Sequence, residues 1–258
     1  MNNSLKVTRS DGILEVILDR PKANAIDTAT SQAMGRLFAE FRDDPAMRVA
    51  IITGGGSRFF SAGWDLKAAS EGESAKPDWG IGGFGGLQAL PGLNKPIIAA
   101  INGMAVGGGL ELALCADIIV ASESARFALP EINVGVTAES GTIKLPRRIP
   151  YHVAVEMLMT GRFMDASEAC RWGLVNRVVP ASQIMDTARA IARDLASGPP
   201  LIFAAIKDIL RQTEGVPEQD ALRLALALHS VQRVFDSDDV KEGARAFAEK
   251  RKPNWKGR

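Results

Sequence analysis

The chain has 258 residues, enough for one large α/β domain or for a domain with an appendage. Hydrophobic residues make up 46% and charged residues 24%, which excludes a disordered chain, and the formal net charge of +1 gives no sign of a nucleic-acid surface. The first residues lack the apolar core of a signal peptide and no apolar run reaches the roughly 18 residues of a membrane span, so we expect a cytoplasmic protein without nucleic-acid or membrane partners.

The first half of the chain predicts strands that alternate with helices. Two β-rich runs flank Asp11-Gly12, a tight-turn signal, and predict a hairpin. The next helix has Asp27 or Thr28 as its N-cap and Pro45 after its end. The apolar runs MRVAIITG, KPIIAAING and ADIIVAS predict buried strands, and GLELALC predicts a helix between the last two. This order predicts a layered α/β fold.

Two later segments differ from this core. The stretch from Glu71 to Gly92 holds seven glycines together with Trp79 and Phe84, and predicts a mobile loop that covers a pocket and contains at most one short helix. After the break at SGPP, three runs read as helices, namely LIFAAIKDILRQ, ALRLALALHSVQRVF and VKEGARAFAEK. We therefore expect an α/β core with the active site at 1–197 and a helical region at 198–258.

Three glycines, Gly107 to Gly109, stand where GLELALC begins. The first N–H groups of a helix have no partner within it and lie at the positive end of its dipole. Since glycine lets a ligand approach the backbone closely, this segment can bind a polarised oxygen, although tight packing explains the glycines equally well. The stretch SRFFSAGWDLKA offers a second source of N–H groups, or a plain strand-to-helix turn.

Two glutamates are candidates for acid–base chemistry. Glu111 lies one turn into the predicted helix among apolar neighbours, where a carboxylate is costly unless it is paired or hydrogen-bonded. It is either one half of an ion pair with an arginine or an acid or base whose pKa is tuned by burial. Glu131 follows Pro130 and is either a solvated turn residue or the second member of the pair.

The chain resembles the crotonase superfamily, also called the enoyl-CoA hydratase/isomerase family, along essentially its whole length. Five stretches carry the resemblance in order: RPKANAID, ITGGGSRFFSAGWDLK, KPIIAAINGMAVGGGLELALCADIIVAS, FALPEINVGV and TGRFMDASEACRWGLVNRVV. The resemblance implies an α/β fold, a crotonase-type spiral of ββα units with a helical C-terminal region. It also implies an acyl-CoA substrate and trimers or pairs of trimers, held together by 198–258.

The resemblance also implies roles for particular residues. The backbone N–H groups of Trp64 and Gly108 would form an oxyanion hole for the thioester oxygen, and Glu111 and Glu131 would be the catalytic glutamates. The CoA portion would lie along Lys22, Ala23, Ala25, Ala62, Asp65, Leu66 and Lys67. No metal or separate cofactor is implied, and the two cysteines, Cys115 and Cys170, have no metal-ligand spacing and fit packing in a reducing compartment.

The acyl group is the open question. DRPKANAID, FFSAGWDLKAA, RWGLVNRVV and KRKPNWKGR are most similar to family members that interconvert carnitinyl-CoA and crotonobetainyl-CoA. That substrate ends in a trimethylammonium group, which Trp79 and Phe84 could bind through their ring faces. Lys250, in the basic tail, is a candidate for a phosphate contact. The alternatives are a general enoyl-CoA hydratase, an isomerase, and a non-catalytic CoA- or RNA-binding relative.

Overall fold

The computed structural model describes residues 4–74 and 77–258. Its strands are β1 Leu5–Ser10, β2 Ile13–Leu18, β3 Ala25–Ile26, β4 Val49–Gly54, β5 Phe59–Ser61, β6 Gly63–Trp64, β7 Ile97–Ile101, β8 Met104–Val106, β9 Ile118–Ser122, β10 Arg126–Ala128, β11 Met164–Asp165 and β12 Arg177–Val179. Its α-helices are α1 Thr28–Asp43, α2 Leu66–Ser70, α3 Gly108–Ala113, α4 Glu139–Lys144, α5 Tyr151–Thr160, α6 Ala166–Arg171, α7 Ile184–Ala196, α8 Pro200–Gln212, α9 Glu218–Ala227, α10 His229–Phe235 and α11 Asp238–Ala248. Short 3₁₀ turns span Phe84–Gly86, Glu131–Val134, Leu145–Arg147 and Ala181–Gln183.

The larger sheet has the order β1-β2-β4-β7-β9-β12. The predicted hairpin is confirmed, since β1 and β2 pair antiparallel, and Asp11 and Gly12 both take positive φ (51° and 76°) in its two-residue turn. All the other pairs in this sheet are parallel. Every residue of β4 and β7 is buried, which explains why both read as continuous apolar runs.

Helix α1 covers one face of this sheet. Asp27 is its N-cap, with its carboxylate accepting a hydrogen bond from the Thr30 amide at 2.8 Å. Met34, Phe38 and Phe41 are fully buried on the inner side of the helix and join the main hydrophobic core. The prediction of this helix and of its cap is confirmed.

A second, smaller sheet has the order β11-β10-β8-β5. Its strands are two or three residues long and were not predicted from the sequence. Strand β8 lies between β7 and α3, so that two strands precede this helix. The chain thus repeats a strand from each sheet followed by a helix, which confirms the predicted spiral of ββα units.

The C-terminal region is helical from α8 onward, as predicted, but with one difference. The run ALRLALALHSVQRVF was predicted as a single helix, whereas Leu228 is extended (φ −65°, ψ 133°) and separates α9 from α10. No helix within 4–74 and 77–258 is long and apolar enough to cross a membrane.

Candidate active site

Three backbone segments of the site follow the carboxyl ends of three neighbouring parallel strands. Strand β8 pairs in parallel with β5 on one side and with β10 on the other. Parallel strands end at the same edge of a sheet, and each of these three continues directly into a site segment. Ala62-Gly63-Trp64 follows β5, the three glycines follow β8, and Leu129-Pro130-Glu131 follows β10. The fold therefore brings the residues singled out in the sequence to one place.

The start of α3 lies against Gly63. Gly63 has a φ of +81°, and a Cβ built on it would lie 2.6 Å from the Gly108 nitrogen and 2.7 Å from the Val106 oxygen. Only glycine fits such a close approach. Gly108 is the first residue of α3, so its N–H has no acceptor within the helix. Trp64 follows Gly63 directly, which places both predicted oxyanion-hole residues in adjoining backbone segments.

The glycines also meet a packing requirement. A Cβ on Gly108 would lie 2.4 Å from the Phe84 ring, and one on Gly109 would lie 2.2 Å from the Ser61 oxygen. The two explanations of the glycine run are therefore compatible. The helix start is closely packed on both sides, and this packing fixes the position of its N–H groups.

Glu111 is buried, with 8% of its surface exposed. Its Oε1 accepts a hydrogen bond from the Gly141 amide at 2.7 Å, and its Oε2 accepts one from the Gln88 side chain at 3.2 Å. No arginine or lysine pairs with it in the described part of the chain, so the ion-pair interpretation is wrong. Burial raises the pKa of this carboxyl, the hydrogen bonds from these two uncharged groups counteract the rise, and the negative charge of Glu139 adds to it.

Glu131 opens the 3₁₀ turn after β10 and is half-buried. Its Oε1 lies 2.9 Å from the position that a Cβ on Gly107 would take, and its Oε2 is buried without a hydrogen-bond partner among the described residues. Burial, and secondarily the charge of Glu111, raises the pKa of this carboxyl to about 7. The alternative of a freely solvated turn residue is therefore wrong.

The two glutamates interact electrostatically, since the negative charge of Glu111 raises the pKa of Glu131. Because a carboxyl with a pKa near 7 exchanges its proton readily near neutral pH, this pair can act in acid–base catalysis. It lies beside the start of α3, whose first N–H groups can stabilise a developing negative charge. The arrangement fits proton transfer at a carbon next to a carbonyl group.

The residues predicted to bind CoA lie together around β3 and β6. Ala25 is paired with Gly63 in the β3–β6 ladder, and the Ala62 amide donates to the Ala23 oxygen at 2.9 Å. Asp65 uses its carboxylate internally, because it caps α2 and forms an ion pair with Arg20. The other three predicted residues have exposed side chains, namely Lys22, Leu66 and Lys67.

The two aromatic residues predicted for the acyl pocket contact each other. The rings of Trp79 and Phe84 are 5.0 Å apart in an edge-to-face arrangement. Phe84 is buried against Gly108, and Trp79 is half-buried against the main core. Phe84 thus packs the glycine-rich segment 77–92 against the start of α3, and Trp79 packs against Phe84 and the core.

Four polar groups near the site were not identified from the sequence. Gln88 and Gly141 are the hydrogen-bond donors to Glu111. The indole Nε1 of Trp64 and the hydroxyl of Ser140 are buried without a partner in the described structure. Single polar residues in a glycine-rich loop and in a short helix carry no periodic signal, so only the fold reveals them.

Comparison with known proteins decides the family. The family model for enoyl-CoA hydratase/isomerase matches residues 8–258. The chain belongs to the enoyl-CoA hydratase/isomerase family. Relatives named carnitinyl-CoA dehydratase, from Proteus mirabilis and from Salmonella enteritidis, are 55% identical over 100% of both chains.

Solved structures of the family have the same fold. The enoyl-CoA hydratase of Mycobacterium tuberculosis aligns with a TM-score of 0.91 at 38% identity and covers 99% of each chain. The enoyl-CoA hydratase of Bacillus anthracis aligns with a TM-score of 0.92 at 31% identity, over 99% of this chain and 100% of its own. This family member therefore has the crotonase-type fold over its whole length.

Proposed function

We propose that the protein catalyses the reversible hydration of an enoyl-CoA thioester, with crotonobetainyl-CoA and water giving carnitinyl-CoA. The observation that carries the proposal is the pair of Glu111 and Glu131 beside the start of α3, whose first N–H groups have no acceptor within the helix. The acyl group is supported by the full-length relatives named carnitinyl-CoA dehydratase at 55% identity.

The thioester oxygen would accept hydrogen bonds from the N–H groups of Trp64 and Gly108. As the proton on the α-carbon leaves, negative charge moves onto this oxygen, and donors already in place stabilise it. Each such donor contributes about 3 kcal/mol, or a factor of about 10²–10³ in rate. The close packing of Gly63 against Gly108 supports this assignment because it holds the two segments in fixed positions.

The glutamates would exchange one proton each during a turnover. In dehydration the Glu131 carboxylate removes the α-proton, while Glu111 donates a proton to the hydroxyl group that leaves the β-carbon as water. Hydration runs the same steps in reverse. The total number of protons on the pair is unchanged, and the reaction involves no net oxidation or reduction. The proposal therefore includes no redox cofactor, and CoA is part of the substrate.

We also propose that the active form is a homotrimer or a dimer of trimers, built through residues 198–258. Large apolar side chains of this region are exposed in the single chain, among them Leu222 at 62%, Leu226 at 61% and Phe247 at 87%. Such a surface is typical of a subunit interface. Lys250, within this region, remains our candidate for a CoA phosphate contact. Sedimentation of wild-type protein and of a Leu222→Glu variant tests the assembly, and a monomeric wild type would contradict it.

A reducing, cytoplasmic environment remains part of the proposal. Both cysteines are free thiols in the structure. Cys115 is hydrogen-bonded to the Lys144 side chain at 3.0 Å, and Cys170 is exposed.

A spectrophotometric hydration assay with crotonyl-CoA and crotonobetainyl-CoA side by side tests the proposed reaction. We expect turnover of both, with the higher kcat/KM for crotonobetainyl-CoA. A clear preference for crotonyl-CoA would instead indicate a general enoyl-CoA hydratase. Movement of the double bond without uptake of water would indicate an isomerase, and binding without turnover would indicate a non-catalytic relative.

A further inference from the structure

A third carboxylate lies at the proposed active site. Glu139 is the first residue of α4, two positions before Gly141, whose amide is hydrogen-bonded to Glu111 at 2.7 Å. This bond fixes the first turn of α4 to the catalytic region. The charge of Glu139 is close enough to act on the Glu111 carboxyl. Glu139 is thus a neighbour of the reacting centre, although its own side chain is exposed.

Glu139 has no partner of its own among the described residues. Within residues 4–74 and 77–258 it takes part in no ion pair and its side chain accepts no hydrogen bond. The nearest basic residue of the same helix, Lys144, points its ammonium group to the Cys115 sulfur instead. Beside Glu139, the Ser140 hydroxyl is buried and also without a partner. The exposed Glu139 side chain is thus left without a protein partner among the described residues, next to a buried hydroxyl that is also unpaired there.

The proposed substrate carries a positive charge that the Glu139 side chain could bind. This step rests on the proposed function. In crotonobetainyl-CoA the quaternary nitrogen is attached to the γ-carbon, so it lies about 2.5 Å from the β-carbon by ordinary bond lengths and angles. Since Glu111 is assigned to the water at the β-carbon, the cation must come close to Glu111. A trimethylammonium group has no hydrogen to donate, so charge and polarisable surfaces are the means of recognising it.

We propose that Glu139 binds the trimethylammonium group of the acyl chain and sets the preference for a cationic substrate. Glu111 cannot serve as a permanent counter-ion because it carries a proton during part of the cycle. The proposed mechanism assigns no proton transfer to Glu139, so its side chain is available to the cation throughout the cycle. The rings of Trp79 and Phe84, which contact each other, have the separate task of fixing the glycine-rich segment.

The experiment measures the binding of two saturated thioesters that cannot be hydrated or dehydrated. One is 4-(trimethylammonio)butanoyl-CoA, and the other is 5,5-dimethylhexanoyl-CoA, in which a tert-butyl group replaces the cation at equal size. Their Kd values are determined by calorimetry for wild type, Glu139→Gln, Trp79→Ala and the control Glu123→Gln. Glu123 is another exposed glutamate, in the turn between β9 and β10, so the control removes the same charge elsewhere.

We expect Glu139→Gln to weaken the binding of the cationic thioester about fivefold or more, the upper range for an exposed ion pair, and to leave the neutral thioester unchanged. Glu123→Gln should alter neither Kd. High salt should reduce the preference of the wild type for the cation and have less effect on Glu139→Gln. Trp79→Ala should weaken both ligands to the same extent.

Two results would overturn the assignment: equal Kd changes for both ligands in Glu139→Gln, or a loss specific to the cation in Trp79→Ala alone. A wild type that binds both thioesters equally would overturn it as well. The proposed function is judged separately, by the turnover of crotonobetainyl-CoA by the wild type. If the wild type turns over crotonobetainyl-CoA but Glu139→Gln has the same Kd values as the wild type, only the role of Glu139 is refuted.

Discussion

Gly141 donates its amide hydrogen to Oε1 of Glu111 at 2.7 Å, although the two residues belong to different helices and are 30 positions apart. Glu111 is thus oriented by α4 as well as by its own helix. With Gln88 on the other oxygen, both sides of the carboxylate are held by uncharged donors. Such donors orient the group while burial keeps its pKa above the ordinary value. A permanent ion pair would have lowered the pKa and made proton donation harder.

Replacement of either glutamate by glutamine should lower kcat at least about a hundredfold, the usual scale of acid–base catalysis. Glutamine keeps the shape of the side chain but exchanges no proton near neutral pH. Steady-state hydration kinetics of Glu111→Gln and Glu131→Gln provide the test, with circular dichroism to verify folding. Near wild-type turnover in one variant would remove that residue from the mechanism.

The same replacement at Glu131 should stabilise the protein at alkaline pH. The folded-state pKa of Glu131 is raised to about 7, so its ionisation opposes folding. Its contribution to stability is complete below the ordinary carboxyl pKa and is lost as the pH rises through about 7. After allowance for its partial exposure, the loss amounts to about 1–2 kcal/mol. Glutamine does not ionise and avoids this loss.

Thermal melts of wild type and Glu131→Gln at several pH values test this effect on stability. At pH 8.5 the variant should have a Tm higher by several degrees, and near pH 4.5 the two Tm values should converge. If the Tm difference between the variant and wild type is the same at both pH values, ionisation of Glu131 does not oppose folding.

The dependence of kcat/KM on pH should be bell-shaped and the same in both directions of the reaction. The active pair carries one proton in total, on Glu131 for hydration and on Glu111 for dehydration. Loss of that proton as the pH rises through about 7 should lower the rate, and uptake of a second proton at acidic pH should lower it again. The water-addition equilibrium itself involves no net proton, so the two profiles have to coincide. A hydration rate that is constant from pH 6 to pH 9 would contradict the one-proton pair.

Much of the fold could be predicted because its signals are local. The Asp11-Gly12 turn, the Asp27 cap and the continuous apolar runs each depend on a few neighbouring residues, and the structure confirms all three. The strands of the second sheet could not be predicted because two or three residues are too few for an alternating pattern. The end of α9 could not be predicted because Leu228 is followed by His229, with no glycine or proline to mark a break.

The candidate site could be predicted in part. Its glycines and glutamates can be recognised in the sequence because they stand in otherwise apolar segments. The contacts that set their chemistry cannot be read from the sequence, since Gln88 lies 23 positions from Glu111 and the ion pair between Arg20 and Asp65 joins residues 45 positions apart. Contacts of that range are created by the ends of β5, β8 and β10 meeting at one edge. The roles of these residues were predicted from the resemblance to the family, and not from local sequence signals.

The contact between Gly63 and Gly108 provides the most direct test of the oxyanion hole. In Gly63→Ala the new methyl group would lie 2.6 Å from the Gly108 nitrogen and 2.7 Å from the Val106 oxygen, so the two backbone segments would have to separate. Misplacement of catalytic groups by about 1 Å can cost about 10² in rate. We therefore expect kcat for hydration to fall about a hundredfold. KM can change as well, because Gly63 lies in β6 beside the residues predicted to bind CoA.

The strain of alanine at positive φ has to be separated from the displacement of the N–H groups. Gly215, between α8 and α9, provides the matched control, since its φ is +74° and a Cβ there would have no atom within 4 Å. Gly215→Ala should therefore lose some stability and keep its kcat, whereas Gly63→Ala should lose kcat per folded molecule, as measured beside thermal melts of both variants. Equal kcat values in the two variants would show that the approach of Gly63 to Gly108 serves packing and does not position the donors.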